Sequence, residues 1–107
     1  MVISVGESVT EFRAGDEVWY AGDITRPGSN ANQQLVDARI VAHKPRSFNW
    51  AQAAALPLTA ITAWEALFEH LKIQQASAGQ SLLIIGGAGG VGSLAIPLAA
   101  LRSPLKV

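Results

Sequence analysis

The sequence predicts an α/β chain, and three observations carry that prediction. Turn signals and β-forming residues fill the first third, and a helical apolar stripe occupies the middle. Near the end, an apolar run of strand length leads through a glycine cluster into an apolar helix. The 107 residues suit one compact domain or less, and 50% apolar with 15% charged residues is a globular composition. Eight basic side chains balance eight acidic ones, so no basic field exists for a nucleic acid or an anionic membrane. Without cysteine there is no disulfide framework, thiolate nucleophile or thiolate metal ligand. The opening residues lack a positive stretch and reach Glu7 too early for a secretory signal, so a cytoplasmic address is expected.

The elements follow in order. Val9 and Phe12 precede an Ala14-Gly15-Asp16 turn, and Glu17-Val18-Trp19-Tyr20-Ala21 reads as a short strand. Trp19 and Tyr20 alternate, so one of them is expected to face inward. Gly22-Asp23 and Arg26-Pro27-Gly28-Ser29-Asn30 punctuate a loop, where Asn30 reads as a loop cap in preference to a ligand contact. Gln34-Leu35-Val36 and Arg39-Ile40-Val41-Ala42 read as a second pair of short strands broken near Asp37. Ser47 or Asn49 can cap a short helix over residues 51–55, and Pro57 resets the chain. Leu58, Ile61, Trp64, Leu67, Phe68 and Leu71 then recur at steps of three and four, with Lys72 in the last turn to favour the helix dipole. Ala78-Gly79-Gln80 makes a turn before Ser81-Leu82-Leu83-Ile84-Ile85, which reads as a strand buried on both faces. A helix follows from about Gly90 to Leu101, and Leu105-Lys106-Val107 begins a second strand.

Residues 73–101 carry no charge, which also admits a membrane span. Five glycines between Gly86 and Gly92, followed by Pro97, argue against it. A helix interior loses about 1 kcal/mol per glycine and about 3 kcal/mol at proline. Strand, turn and helix explain the run better, and no membrane partner is expected.

Gly87-Ala88-Gly89-Gly90-Val91-Gly92 fits G-x-G-x-x-G, directly after an apolar strand and at the opening of an apolar helix. The first glycine permits a tight turn, the second lets backbone amides approach a pyrophosphate, and the third brings helix and strand close. Free amides at a helix N-terminus then face phosphate oxygens with the positive dipole end. A tight turn that binds nothing is the plainer alternative. The acidic residue that would hold the ribose hydroxyls is expected about twenty residues on, which reaches Val107, so NAD and NADP are not distinguished.

The stretch Gly15-Asp16-Glu17-Val18-Trp19-Tyr20-Ala21-Gly22 resembles a turn and strand of the medium-chain dehydrogenases/reductases. Residues 53–67, AAALPLTAITAWEAL, and 83–92, LIIGGAGGVG, resemble the same superfamily, most of all its quinone-oxidoreductase-like, zinc-type alcohol dehydrogenase-like branch. The resemblance implies a GroES-like barrel domain followed by a Rossmann domain that binds NADPH, with NADH also admitted. Residues 1–45 would be the end of the first domain, and residues 46–107 the linker helices and first βαβ of the second. Both domains would be incomplete, because a doubly wound sheet needs more strands than two. A fragment or truncated product is therefore expected.

By the same resemblance, Gly87, Ala88, Gly89, Gly90, Val91 and Gly92 form the phosphate loop, and Thr62 sits near the nicotinamide or its phosphates. The alternative for Thr62 is a helical threonine bonding its own preceding turn. Trp64 and Phe68 read as core. Leu58 stands where zinc-dependent relatives would carry a cysteine, and neither His43 nor His70 has carboxylates at ligand spacing, so no zinc is expected. Two departures from the family pattern suggest relaxed demands on the fold: Pro97 inside the helix after the loop, and Gln33 in place of an aromatic residue.

The function so implied is part of an NAD(P)H-dependent oxidoreductase passing hydride to a quinone, enone or carbonyl substrate, without zinc. No acid or base in the chain stands out as catalytic, and the chemistry would be the cofactor's. The rival reading is a catalytically silent module that oligomerises through exposed sheet edges and apolar helix faces. Homo-oligomerisation is expected under both.

Overall fold

The computed structural model describes residues 1–73 and 79–107. The expected turn at Ala78-Gly79-Gln80 lies outside the described residues at Ala78, while Gly79 adopts a left-handed φ of 83°. The chain divides into two units, Met1–Pro57 and Leu58–Val107.

In the first unit, β1 (Val18–Trp19) pairs antiparallel with β2 (Ala42–His43), setting Val18 against His43 and Trp19 against Ala42. These strands are shorter than the sequence suggests. Residues 34–36 form no strand, and of the expected strand over residues 39–42 only Ala42 lies in one, β2, while Ala38–Ile40 is a 3₁₀ turn. The cause is Asp37. Its carboxylate accepts the Arg39 backbone N–H at 2.9 Å and the Arg39 guanidinium, which offers the backbone a turn instead of a ladder. Those hydrogen bonds hold the Asp37 carboxyl down at about 2.

Trp19 packs edge-on against Phe48, with ring centroids 6.5 Å apart, and Trp19 and Tyr20 are both half-buried, so the expected division into one inward and one outward aromatic is not seen. Tyr20 instead donates its hydroxyl to Gln34 Oε1 at 2.8 Å, and Gln34 Nε2 donates to the Pro27 carbonyl. The loop over residues 21–33 is thereby fastened at both of its ends.

Of the two candidate caps, Asn49 starts α1 (Trp50–Ala55). Its side chain accepts from the Gln52 N–H at 2.9 Å, and Gln52 Oε1 accepts from the Asn49 N–H at 3.0 Å. This reciprocal capping box satisfies two otherwise orphaned donors. Pro57 then begins α2 (Pro57–Trp64), where its missing N–H costs nothing.

In the second unit, α2 widens into a π-helical segment, Glu65–His70. Lys72, at φ 52°, ends it just past the last turn, with the Ile73 N–H returning to the Leu67 carbonyl at 3.0 Å. The helical periodicity holds, but the buried face differs from the expected stripe. Leu67 is buried and Phe68 half-buried, whereas Leu58, Ile61, Trp64 and Leu71 are exposed and Ala63 is fully enclosed. Ala63 and Leu67 meet Ala95 and Ala99 of α3 (Gly90–Arg102). Three of these four buried positions are alanines, so the buried cluster is built mostly from small side chains while Leu58, Ile61, Trp64 and Leu71 stay outside it.

Leu82 and Ile84 join this core from the apolar run before α3. The run makes a parallel bridge with the chain end, Ser81 opposite Lys106, with the Leu82 N–H donating to the Lys106 carbonyl at 2.9 Å. A strand buried on both faces is not what forms: Leu83 and Ile85 are 83% and 90% exposed. A strand buries both faces only when elements cover both. Here α3 covers one, and no other described element covers the second.

The α3 helix runs through Pro97 without a break. Both Pro97 and Ser93, whose carbonyl loses a donor there, lie on the exposed side, so water can replace the missing bond.

Candidate cofactor site

The apolar run ends in a sharp bend. Gly86 adopts φ 76°, a conformation open to glycine, and the Gly89 N–H closes the turn on the Gly86 carbonyl at 2.9 Å. The left-handed residue is thus Gly86, one position before the G-x-G-x-x-G pattern and not its first glycine. The Gly86-Gly87 pair was the signal in the sequence.

From this bend α3 begins. Gly89 is its N-cap and offers no side chain, and no side chain caps the helix. The Gly89 carbonyl accepts from Ser93 N–H at 2.8 Å, so the ladder starts correctly while the first-turn amides of Gly90, Val91 and Gly92 carry no side-chain cap.

Gly92 is buried in the elbow of the bend. A Cβ built there would lie 2.8 Å from Gly87 Cα and 3.0 Å from the Gly86 carbonyl carbon, and closer still to the Gly86 oxygen. These are backbone atoms that cannot rotate away. The absence of a side chain at Gly92 thus lets the first turn of α3 lie directly against the bend at Gly86 and Gly87.

The other glycines are less tightly held. A Cβ on Gly89 would come 3.3 Å from the Gly86 oxygen, and one on Gly87 would meet only the far end of Ile96 at 3.0 Å. One on Gly90 would meet the Thr59 methyl at 3.2 Å. Thr59, which sequence reasoning did not single out, thus brings the first turn of α2 against the first turn of α3. Ala88 is exposed at the crest of the bend.

Thr62 lies exposed on α2, and its hydroxyl donates to the Leu58 carbonyl at 2.8 Å. Its proton is committed to its own helix, which leaves the oxygen lone pairs as acceptors only. Asn30 lies exposed in the loop of the first unit, beside an Ala31 N–H that donates to the Ser29 carbonyl. His43 stacks against Phe12, centroids 5.0 Å apart, and His70 is exposed at the end of the π-helical segment. Among the described residues, no group of three or more His, Cys, Asp or Glu side chains is placed to hold a metal ion. Among them, too, no helix is long and apolar enough to cross a membrane.

The bend therefore fits a phosphate group on two counts: bare glycines, and first-turn amides without a side-chain cap at the positive end of the α3 dipole. Comparison with known proteins gives relatives over nearly the whole chain. A zinc-type alcohol dehydrogenase-like protein of Staphylococcus aureus is 50% identical over 101 residues, which is 92% of this chain and 30% of that protein. A mitochondrial NAD(P)H oxidoreductase of Bos taurus is 39% identical over 97 residues, 90% of this chain and 24% of its own length. A crystal structure described as a putative zinc-dependent alcohol dehydrogenase from Rhizobium etli superposes with a TM-score of 0.87 at 56% identity, covering 97% of this chain and 31% of that one. No family model matches. The chain spans about 30% of the length of the first of these relatives.

Proposed function

Since the chain belongs, over the segment it spans, to the medium-chain dehydrogenase/reductase superfamily, we propose that its glycine bend holds the pyrophosphate of a nicotinamide dinucleotide. The amides of Gly90, Val91 and Gly92 grip the phosphate oxygens, and Gly87, Ala88 and Gly89 form the floor over which the diphosphate passes. The observation that carries this reading is the elbow at Gly92, where a Cβ would strike the Gly86 and Gly87 backbone. A turn that binds nothing has no use for an uncapped helix start so closely seated.

Residues 1–45 read as the end of a GroES-like domain, and residues 46–107 as linker helices and the first βαβ of a Rossmann domain. Thr62 accepts a hydrogen bond from the nicotinamide end, because its own proton is taken by Leu58. NADPH is the expected cofactor, with NADH admitted. When bound, it supplies hydride for reduction of a quinone, enone or carbonyl compound, without zinc. The chain's own part is to anchor and orient. The name of the bovine relative, an NAD(P)H oxidoreductase, supports the cofactor class.

A second reading has its own support. Leu58, Leu71, Leu83, Ile85 and Leu101 are each more than half exposed in one unit, which favours self-association of the chain through apolar faces. The two readings separate in one experiment, a titration of the 107-residue chain with NADPH followed by nicotinamide fluorescence. Saturable binding is expected. Gly90→Asp sets a carboxylate at the phosphate position and is expected to weaken binding about 100-fold, since like charges cost several kcal/mol. An acid in the first helical turn suits the dipole, and its Cβ needs the Thr59 methyl to give by only a few tenths of an ångström, so far-UV circular dichroism of the variant should match that of the parent. Absent binding together with a concentration-dependent oligomer would favour the second reading.

A further inference from the structure

The first unit contains a buried cation. The Lys44 side chain is 5% exposed, at the end of β2. Its backbone N–H donates to the Glu17 carbonyl at 2.9 Å, extending the β1–β2 pairing by one step. Its ammonium reaches three acceptors: Glu17 Oε2 at 3.0 Å, the Phe48 carbonyl at 2.6 Å and the Pro45 carbonyl at 3.3 Å. All three ammonium protons are therefore engaged. The ammonium also lies 5.3 Å from the centroid of the Trp50 ring, in cation–π range.

These partners belong to successive parts of one path. Glu17 precedes β1, Pro45 and Phe48 bound the turn that leaves β2, and Trp50 is the first residue of α1. Within the turn itself, the Phe48 N–H donates to the Pro45 carbonyl at 3.1 Å. Its geometry is otherwise set by Lys44 and by Phe48 packing against Trp19. Two neighbouring polar side chains have partners of their own: Asp16 pairs with Arg13, and the His43 ring packs on Phe12.

We infer that Lys44 is an ionic latch that fixes the exit of the chain from the strand pair and so sets the start of α1. A tetrahedral ammonium can meet three acceptors spread about one point, whereas the planar fork of arginine cannot. A buried cation also penalises any arrangement that leaves it unpaired, so the latch selects one path for residues 45–50. The ligated state places Asn49 where its side chain and Gln52 can complete the capping box.

Amide hydrogen exchange on the whole chain tests this. Lys44→Met keeps the apolar stem and removes the charge. It is expected to speed exchange at Gln52 and Ala53, whose N–H groups bond Asn49, by about tenfold or more, while Ser93 and Ser103 of the second unit keep their rates. Lys44→Arg should fall between. The latch is overturned if Lys44→Met leaves Gln52 and Ala53 unchanged, or if Ser93 and Ser103 accelerate in step with them. Glu17→Gln gives the same reading in a chain that retains its ammonium and loses only a half-exposed charge. A several-fold acceleration confined to Gln52 and Ala53 supports the latch, and none overturns it.

Discussion

Gly92→Ala is expected to destabilise the second unit by about 1–3 kcal/mol and to abolish nucleotide binding. The sign is what makes this informative. Alanine is the better helix former, and a Gly→Ala change inside a helix ordinarily stabilises by about 0.5–1 kcal/mol. Gly92 lies inside α3, so propensity alone predicts a gain. The elbow reverses it, because the new methyl falls 2.8 Å from Gly87 Cα, well inside contact distance. Relief requires lifting α3 from the Gly86-Gly87 backbone, which carries the first-turn amides away from the bend. Denaturant midpoints and an NADPH titration read the two effects separately. A stabilised variant that still binds would mean that the close seating has no role.

Leu67→Ala is expected to cost about 2–5 kcal/mol, the range for removing a buried leucine. Leu67 is 3% exposed, and the residues buried with it are Ala63, Ala95 and Ala99. It is the one large side chain in that set, and half-buried Phe68, Leu82, Ile84, Leu94 and Leu98 pack against the same cluster, so the cost within that range depends on how far they close the space. Domains are stable by only about 5–15 kcal/mol in total, and this loss takes much of that margin. Thermal melts followed by far-UV circular dichroism check it. Leu71→Ala, four residues on at a position 62% exposed, should change the melt by less than about 0.5 kcal/mol equivalent. Equal effects at the two positions would put the core on the wrong face.

Much of the helical half was legible in advance because its signals are local. Asn49 caps α1, Pro57 restarts the chain and α3 begins at Gly90, each fixed by side chains or backbone limits within a few residues. The apolar stripe from Leu58 to Leu71 misled for a different reason. Periodicity counts large side chains, whereas two helices that approach closely bury small ones, and alanine carries little weight in such a pattern. The β half was harder to read. Residues 39–42 have good strand composition, but Asp37 supplies its own turn, and pairing between distant segments leaves no local mark.

The glycine bend was visible as a pattern, and its strained residue was misplaced by one position, at Gly86. A glycine's φ depends on the path of the chain, which the spacing of the motif does not encode. Thr59 was passed over because its importance comes from the approach of α2 to Gly90, a tertiary fact. The resemblance to medium-chain dehydrogenases/reductases was carried by three ordered motifs, and the relatives found over nine-tenths of the chain bear it out.

The most direct test of the central claim is the backbone amide spectrum of the chain as NADPH or inorganic pyrophosphate is added. If the start of α3 grips a diphosphate, the Gly90, Val91 and Gly92 amide protons move furthest, downfield and saturably, while Gly15 and Gly22 in the first unit stay still. Should those three amides remain unmoved at saturating ligand, or shift no more than Gly15 and Gly22, the dinucleotide assignment is contradicted.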